Sequence, residues 1–223
     1  MTGTVAVTGA AGALGRKTVE VLQKAGWKVV GIDLAEVPAA GLALALGGVD
    51  LGDEASVQAA ADRIKADLGG LDGLVNIAGG FRWETVSDGS VATWDRLYTM
   101  NVRTALITTR SVLPLLKASK GAVVNVGANA AAKAGAGMGA YAASKAGVAK
   151  LTEALAEELK DEGVRVNAVL PSIIDTPANR ADMPDADFGR WVSPENLANV
   201  IAFLLSPAAT AVTGALVPVT GRV

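Results

Sequence analysis

"TGAAGALG" occupies Thr8–Gly15 and decides the fold. A short β-branched run precedes it at Thr4–Thr8, and a helical pattern follows over roughly Leu14–Ala25. Gly9 permits a tight turn between them. Gly12 and Gly15 let backbone approach a diphosphate and let the helix lie close to a sheet. The free N–H groups of the helix N-terminus then face the anion. Gly9, Gly12, Ala13, Leu14 and Gly15 are the expected cradle. The spacing is not that of G-x-G-x-x-G, and glycines also simply make turns; placement between strand and helix is what raises the signal. Arg16 opposes the helix dipole there; it either reaches a phosphate or faces solvent.

Working outward, strands alternate with helices. Lys28–Ile32 reads as a second strand, followed by a Pro-containing link and a weaker strand near Ala43–Val49. That link is so short that the second crossover helix is expected to be vestigial, and that side of the sheet thin. Asp53 caps a helix to Leu68. Gly73–Ile77 is a strand, Trp94–Leu116 a long helix, Gly121–Val126 a fully buried strand. A helix then covers Ala140–Asp161, with a strand at Arg165–Leu170. Ser193-Pro194 is an N-cap with Pro at the first helical position, opening a helix to Leu205; Leu216–Val219 closes the series. Such alternation specifies a parallel sheet covered on both faces. No repeat or linker interrupts it, so residues 1–223 are expected to form a single domain.

Asp33 ends the second strand about 20 residues after the turn, where an acidic side chain holds a ribose 2′-OH. A solvated turn aspartate is the plain alternative. In the functional reading Asp33 also repels a 2′-phosphate, favouring NAD(H) while leaving NADP(H) open. Asp50 and Leu51 offer an edge and a face to adenine, though a loop aspartate fits nearly as well.

The composition excludes other classes. The 223 residues suffice for one closed core, with 51% apolar, 4% aromatic and 19% charged residues. Net charge is −2 without like-charge blocks, which argues against nucleic acid as a partner. There is no Cys and no His, so thiolate chemistry is out and the commonest base and metal ligand are missing. No metal site is expected. Absence of Cys fits a reducing compartment, and a cytoplasmic location is expected. "MTGTVAV" lacks a leader pattern, and no apolar run of ~18 residues spans a membrane.

The motifs together resemble the short-chain dehydrogenase/reductase family. They are "TGAAGALG", Asp33, "NIAG" at Asn76–Gly79, "MNV" around Asn101, "YAASK" with Tyr141 and Lys145, and "PSIIDT" at Pro171–Thr176. The resemblance covers essentially the whole chain. It implies a doubly wound Rossmann-type α/β domain with a parallel seven-stranded sheet, a nicotinamide cofactor and hydride transfer. It implies that Asn101 kinks its helix, holds a water and extends a proton relay to Lys145. Thr176 caps a loop over the cofactor, and the backbone near Pro171 and Ile173 meets the carboxamide. Ala78 and Gly79 leave room for the cofactor while Asn76 lies beside them or braces the sheet. The long helices resemble the family's subunit interface, which implies a homo-dimer or homo-tetramer. "AGGF" at Ala78–Phe81, "GANAA" at Gly127–Ala131, "GMGAYAASK" and the stretch from Asp175 to Trp191 look like dihydropteridine reductases. In those enzymes Trp stands where this chain has Phe81, and no Asn stands at the position of Asn101.

Tyr141 and Lys145 are one helical turn apart and share a face. A phenol titrating near ~10 is a poor acid at neutral pH. A neighbouring ammonium and an oxidised nicotinamide are expected to lower it, so that Tyr141 supplies the proton as hydride leaves the dihydronicotinamide. The family's usual serine, which donates to a substrate carbonyl, is replaced by Ala128. Losing such a donor costs a factor of ~10²–10³ in kcat. A small cyclic or quinonoid acceptor that needs no second donor is therefore the expected substrate. Alternatively Asn129 turns in to replace the serine in a carbonyl reductase or alcohol dehydrogenase, or the chain is a nucleotide-binding sensor without turnover. Phe81, Trp83, Asn129, Met138, Ile173 and Trp191 are candidates to face a flat ring, or else core or interface. Pro177–Trp191 reads as a mobile lid or a plain loop.

Overall fold

The computed structural model describes residues 3–223. Met1 and Thr2, the start of the segment scanned for a leader, lie outside the described residues. Seven parallel strands form one sheet in the order β3-β2-β1-β4-β5-β6-β7. They are β1 (Thr4–Thr8), β2 (Lys28–Ile32), β3 (Leu44–Leu46), β4 (Gly73–Asn76), β5 (Ala122–Val126), β6 (Arg165–Pro171) and β7 (Leu216–Val219). The helices are α1 (Ala13–Lys24), α2 (Glu54–Leu68), α3 (Val91–Tyr98), α4 (Thr104–Ser119), α5 (Gly139–Leu159), α6 (Pro177–Asp182) and α7 (Pro194–Leu205). This is the expected doubly wound, Rossmann-type sheet.

Alternation along β1 divides the core. Val5 and Val7 face α1 and α7, packing with Leu22, Leu197 and Ile201. Ala6 faces α2, α4 and α5, with Ile64, Leu116 and Leu155. Strand order reverses between β1 and β4, so a crevice opens beyond their C-terminal ends, the usual ligand position in such sheets.

No helix forms between β2 and β3. An irregular segment covers the sheet there instead, with Val37 buried. Gly31 explains why this suffices: a Cβ on it would lie 2.9 Å from Val37 Cγ1 and 3.0 Å from Leu42 Cδ1. The missing side chain lets the link settle directly on β2. The strand expected over Ala43–Val49 accordingly shrinks to Leu44–Leu46.

The single helix expected over Trp94–Leu116 comes in three pieces. A π-helical turn, Thr99–Arg103, separates α3 from α4. Asn101 sits in it, 2% exposed. Its Nδ2 donates to Gly80 O (3.1 Å), and its Oδ1 accepts from Gly80 N (3.0 Å). A buried amide needs such partners, and the widened turn is the local distortion that accompanies this pairing.

A second polar chain crosses the core. Asn76 Nδ2 donates to Thr109 Oγ1 (3.1 Å) and Asn125 Oδ1 (2.9 Å), and Asn125 Nδ2 donates to Thr152 Oγ1 (2.9 Å). It joins α4, β4, β5 and α5.

Arg165 closes the far end of the sheet. Its guanidinium donates to the carbonyls of Leu204 (2.7 Å), Leu205 (3.2 Å), Ser206 (3.3 Å) and Val212 (3.4 Å). These include the open carbonyls at the negative end of α7. Arg165→Ala should lower stability by roughly 1–3 kcal/mol in urea unfolding while leaving nucleotide affinity unchanged.

Candidate functional site

A cleft of about 700 Å³ opens at the switch point. Its floor is the Thr8–Gly15 turn. Gly9 takes φ +68°, and a Cβ on Gly15 would lie 1.9 Å from Gly9 O. Only a glycine lets α1 start this close to the turn. The N-cap, Gly12, has no side-chain cap, so the first N–H groups of α1 remain available beside the cleft. Arg16 Nε donates to Ala11 O (2.8 Å), bracing the turn.

Asp33 reaches back to the turn: Oδ2 accepts from Ala11 N (2.9 Å) and Oδ1 from Ala35 N (3.0 Å). The next wall holds Val49, Asp50, Leu51 and Gly52; Asp50 Oδ1 accepts from Gly52 N (2.8 Å). On the β4 side, Thr8 Oγ1 accepts from the N–H of Ile77 (3.1 Å) and of Ala78 (3.2 Å). This bends the chain so that Ile77, Ala78 and Gly79 line the cleft. Thr176, which caps α6 by accepting from Asn179 N, closes the rim with Pro177 and Ala178.

Gly9, Gly12, Ala13, Leu14, Gly15, Asp33, Asp50, Leu51, Ala78, Gly79 and Thr176 are thus brought together as the sequence suggested. Asn76 is not: it lies in the buried polar chain, so its bracing alternative describes its place. Pro171 and Ile173 do not line the cleft either; Ile173 O accepts from Val192 N (2.9 Å), which binds the two ends of the Pro177–Trp191 excursion together. Met100 and Thr104, which do line it, were missed because the π turn that aims them has no signature in the sequence.

Beyond the cleft lie Tyr141 and Lys145, on the first turns of α5. Lys145 is 5% exposed. Its Nζ donates to Val126 O (2.9 Å) and lies 5.9 Å from the Tyr141 ring centroid. An ammonium has three N–H bonds, and one protein acceptor satisfies one of them. Burial pulls Lys145 down to about 8 and pushes Tyr141 up to about 12. The expected lowering of the phenol is therefore not seen in the protein itself: desolvation outweighs a lysine that points at a carbonyl and is itself easily neutralised.

The surface next to Tyr141 is aromatic. Phe81 meets Tyr141 edge to face, with ring centroids 5.0 Å apart. Trp83 Nε1 donates to Ala136 O (3.0 Å), fixing the indole over the loop that carries Met138. Trp191 is 8% exposed and packs on Phe188, so it anchors the excursion instead of facing a substrate. Ala128 is buried, and Asn129 beside it is exposed, its side-chain amide bonded to none of the described residues. Among the described residues no group of three or more His, Cys, Asp or Glu could hold a metal ion.

Residues 3–187 match the model of the short chain dehydrogenase family. The chain belongs to that family. It is 34% identical over 234 residues to D-threitol dehydrogenase of Mycolicibacterium smegmatis, covering 96% of this chain and 90% of that one. It is 38% identical over 234 residues to cis-4-hydroxycyclohexanecarboxylate dehydrogenase of Sinomonas cyclohexanicum, covering 96% and 94%. The structure of 3-ketoacyl-(acyl-carrier-protein) reductase from Brucella melitensis, complexed with NADH, superposes with a TM-score of 0.88 at 29% identity, covering 98% and 96%. The protein is an oxidoreductase that binds a nicotinamide cofactor. Its own geometry fits that group, with a glycine cradle a Cβ would fill, open helix N–H groups and a buried ammonium with donors to spare.

Two outcomes follow for this site. Gly15→Ala should weaken NADH binding more than ~10-fold in a fluorescence titration, because its methyl would strike Gly9 O. Lys145 titrates lower in the folded chain than in the unfolded one. Below about pH 8 both states are protonated and the folded state bears the full burial cost. Between there and its ordinary value of 10.5 the unfolded state holds more protons, so stability climbs with pH. Lys145→Met should therefore stabilise the protein by roughly 1–3 kcal/mol at pH 7, a gain that shrinks as pH rises through that window in urea melts.

Proposed function

We propose that this single-domain chain is an NADH-dependent reductase that delivers hydride to a small, flat, cyclic or quinonoid acceptor, in the manner of the dihydropteridine reductases its motifs resemble. One observation carries the reading. Where a second donor to a carbonyl would stand there is the buried methyl of Ala128, and Asn129 is turned to solvent. An acceptor that delocalises the incoming electrons needs only one proton and no second donor.

The chain's own groups divide the work. The cofactor, when bound, supplies the hydride. Lys145 offers its unused N–H bonds to the cofactor's ribose and holds positive charge beside Tyr141. Tyr141 protonates the acceptor. Phe81 and Trp83 give it an aromatic surface. Asp33 accepts from the ribose hydroxyl and repels a 2′-phosphate, and exposed Leu34 beside it offers that phosphate no donor. An apolar stripe of Val91, Trp94 and Tyr98 stands exposed on α3. Its burial against a second copy fits a homo-dimer or homo-tetramer, and no described helix is long and apolar enough to cross a membrane. The proposed location is cytoplasmic.

The relatives' names favour a second reading, an alcohol dehydrogenase or carbonyl reductase in which Asn129 swings inward; one of them acts on a ring alcohol. Assays with NADH and quinonoid dihydropterin, quinones and simple ketones separate the two. Turnover with the quinonoid acceptors should exceed that with ketones by at least ~10-fold, and Ala128→Ser should raise ketone turnover by about 10–100-fold. Ketone turnover that Asn129→Ala abolishes would establish the second reading instead. Tight NADH binding without turnover of any acceptor would overturn both.

A further inference from the structure

Tyr141 is held from two directions, at its ring by Phe81 and at its backbone carbonyl by Ser144, and both supports lead to Asn101 and Gly80. Ser144 is 3% exposed on the inner face of α5. Its Oγ donates to Tyr141 O (2.7 Å) and accepts from Asn101 Nδ2 (2.9 Å). The remaining polar capacity of Asn101 goes to Gly80, whose N–H and C=O both bond the same carboxamide. The next residue, Phe81, packs edge-on against the Tyr141 ring. The contacts form a closed circuit from Tyr141 through Ser144, Asn101, Gly80 and Phe81 back to Tyr141.

We propose that Ser144 is a positioning residue for proton delivery: its hydroxyl joins the Tyr141 turn of α5 to the Asn101 carboxamide, closing the circuit that aims the phenol. This rests on the assignment of Tyr141 as proton donor.

The hydrogen bonds leave the circuit one arrangement. A hydroxyl has one proton, and Ser144 spends it on Tyr141 O, so its oxygen must accept from Asn101. That orients the carboxamide with Nδ2 toward Ser144 and Oδ1 toward Gly80 N–H. A flipped carboxamide would set an amide against an amide. Gly79 joins the same assembly, since a Cβ there would lie 2.4 Å from Asn101 Oδ1 and 3.5 Å from Lys145 Nζ. Removing the Ser144 hydroxyl would leave one buried N–H of Asn101 and the second bond of Tyr141 O unmade, opening the circuit at its hydrogen-bonded link to α5. The nucleotide cradle on the Thr8–Gly15 turn is untouched.

Ser144→Ala, Ser144→Thr and the parent should be compared for kcat, KM and NADH affinity, with amide exchange of the segment holding Gly80 as a readout independent of turnover. In Ser144→Ala, kcat should fall about 10–100-fold, since a small misplacement of a reacting group costs that much, while the NADH Kd stays within about twofold. Exchange at Gly80 should quicken. Ser144→Thr keeps the hydroxyl, which in a helix bonds the carbonyl a turn back, and should recover most of kcat. The double variant Ser144→Ala/Asn101→Ala should lose much less than the product of the single losses. A Ser144→Ala enzyme with parental kcat and Gly80 exchange overturns the proposal. So does a loss shared equally by kcat, NADH affinity and the threonine variant, which is the mark of general destabilisation. If Ser144→Ala does not fold, the threonine variant and Gly80 exchange in Asn101→Ala decide it. If the parent turns over no acceptor, the assignment of Tyr141 fails while Gly80 exchange still reports on the circuit.

Discussion

The site is organised around a buried lysine with too few partners. Lys145 puts an ammonium inside the protein against a single carbonyl, Val126 O, at the end of β5. An under-bonded buried charge is unfavourable, and the surrounding packing is what makes it tolerable. α5 cannot slide outward to hydrate the lysine. Val148, Leu155, Ala156 and Leu159 are buried along it, and Thr152 is bonded across to Asn125. The fold thus keeps an unsatisfied donor aimed at the cofactor's side of the sheet. That is a stability loss, and such losses cluster at functional sites.

Two asparagine–hydroxyl systems hold this region, and they have different purposes. Asn76 and Asn125, with Thr109 and Thr152, stitch strands to helices in the middle of the sheet. The chain is buried and does not line the cleft, with Asn76 Oδ1 the one buried side-chain N or O atom lacking a partner among the described residues. Asn101, Ser144 and the Gly79–Gly80 loop lie at the sheet's C-terminal edge, where backbone must approach the site. In each system an Asn is bonded to a hydroxyl on a neighbouring helix, twice in the first and once in the second, but only the second borders the lysine.

That likeness marks the limit of what a sequence discloses. The strands β1, β2 and β7 and the caps Asp53 and Ser193 were legible because they depend on neighbouring residues alone: β-branched runs, and a side-chain oxygen meeting an N–H two or three positions on. The nucleotide cradle was legible for the same reason, since glycines set backbone shape locally. The bracing by Asn76 and the kink at Asn101 came from the family resemblance and not from local pattern, because their partners lie far along the chain. The π turn escaped for that reason too. Of the readings open for Trp191, its burial fits core; that burial depends on Phe188 and on the folding back of the excursion, and composition gives an indole no direction.

The acceptor side is where such long-range choices accumulate. Its walls are loops fastened to each other and not to the sheet. Trp83 and Glu84 bond the carbonyls of Ala136 and Gly137. Across from them, Arg180 pairs with Asp175 and lies over the Phe188 ring, 4.7 Å from its centroid. Arg190 is bonded to Arg222 O in the C-terminal segment. Each tie is a surface contact of modest strength, so these loops can be exchanged or reset without disturbing the seven strands beneath. The nucleotide half is set by backbone that only glycine can form and is hard to alter. The acceptor half is set by exposed side chains on tied loops and is easy to alter. In the proposed reading, a chain can therefore keep the family's cradle, tyrosine and lysine while its choice of acceptor turns on the buried methyl of Ala128.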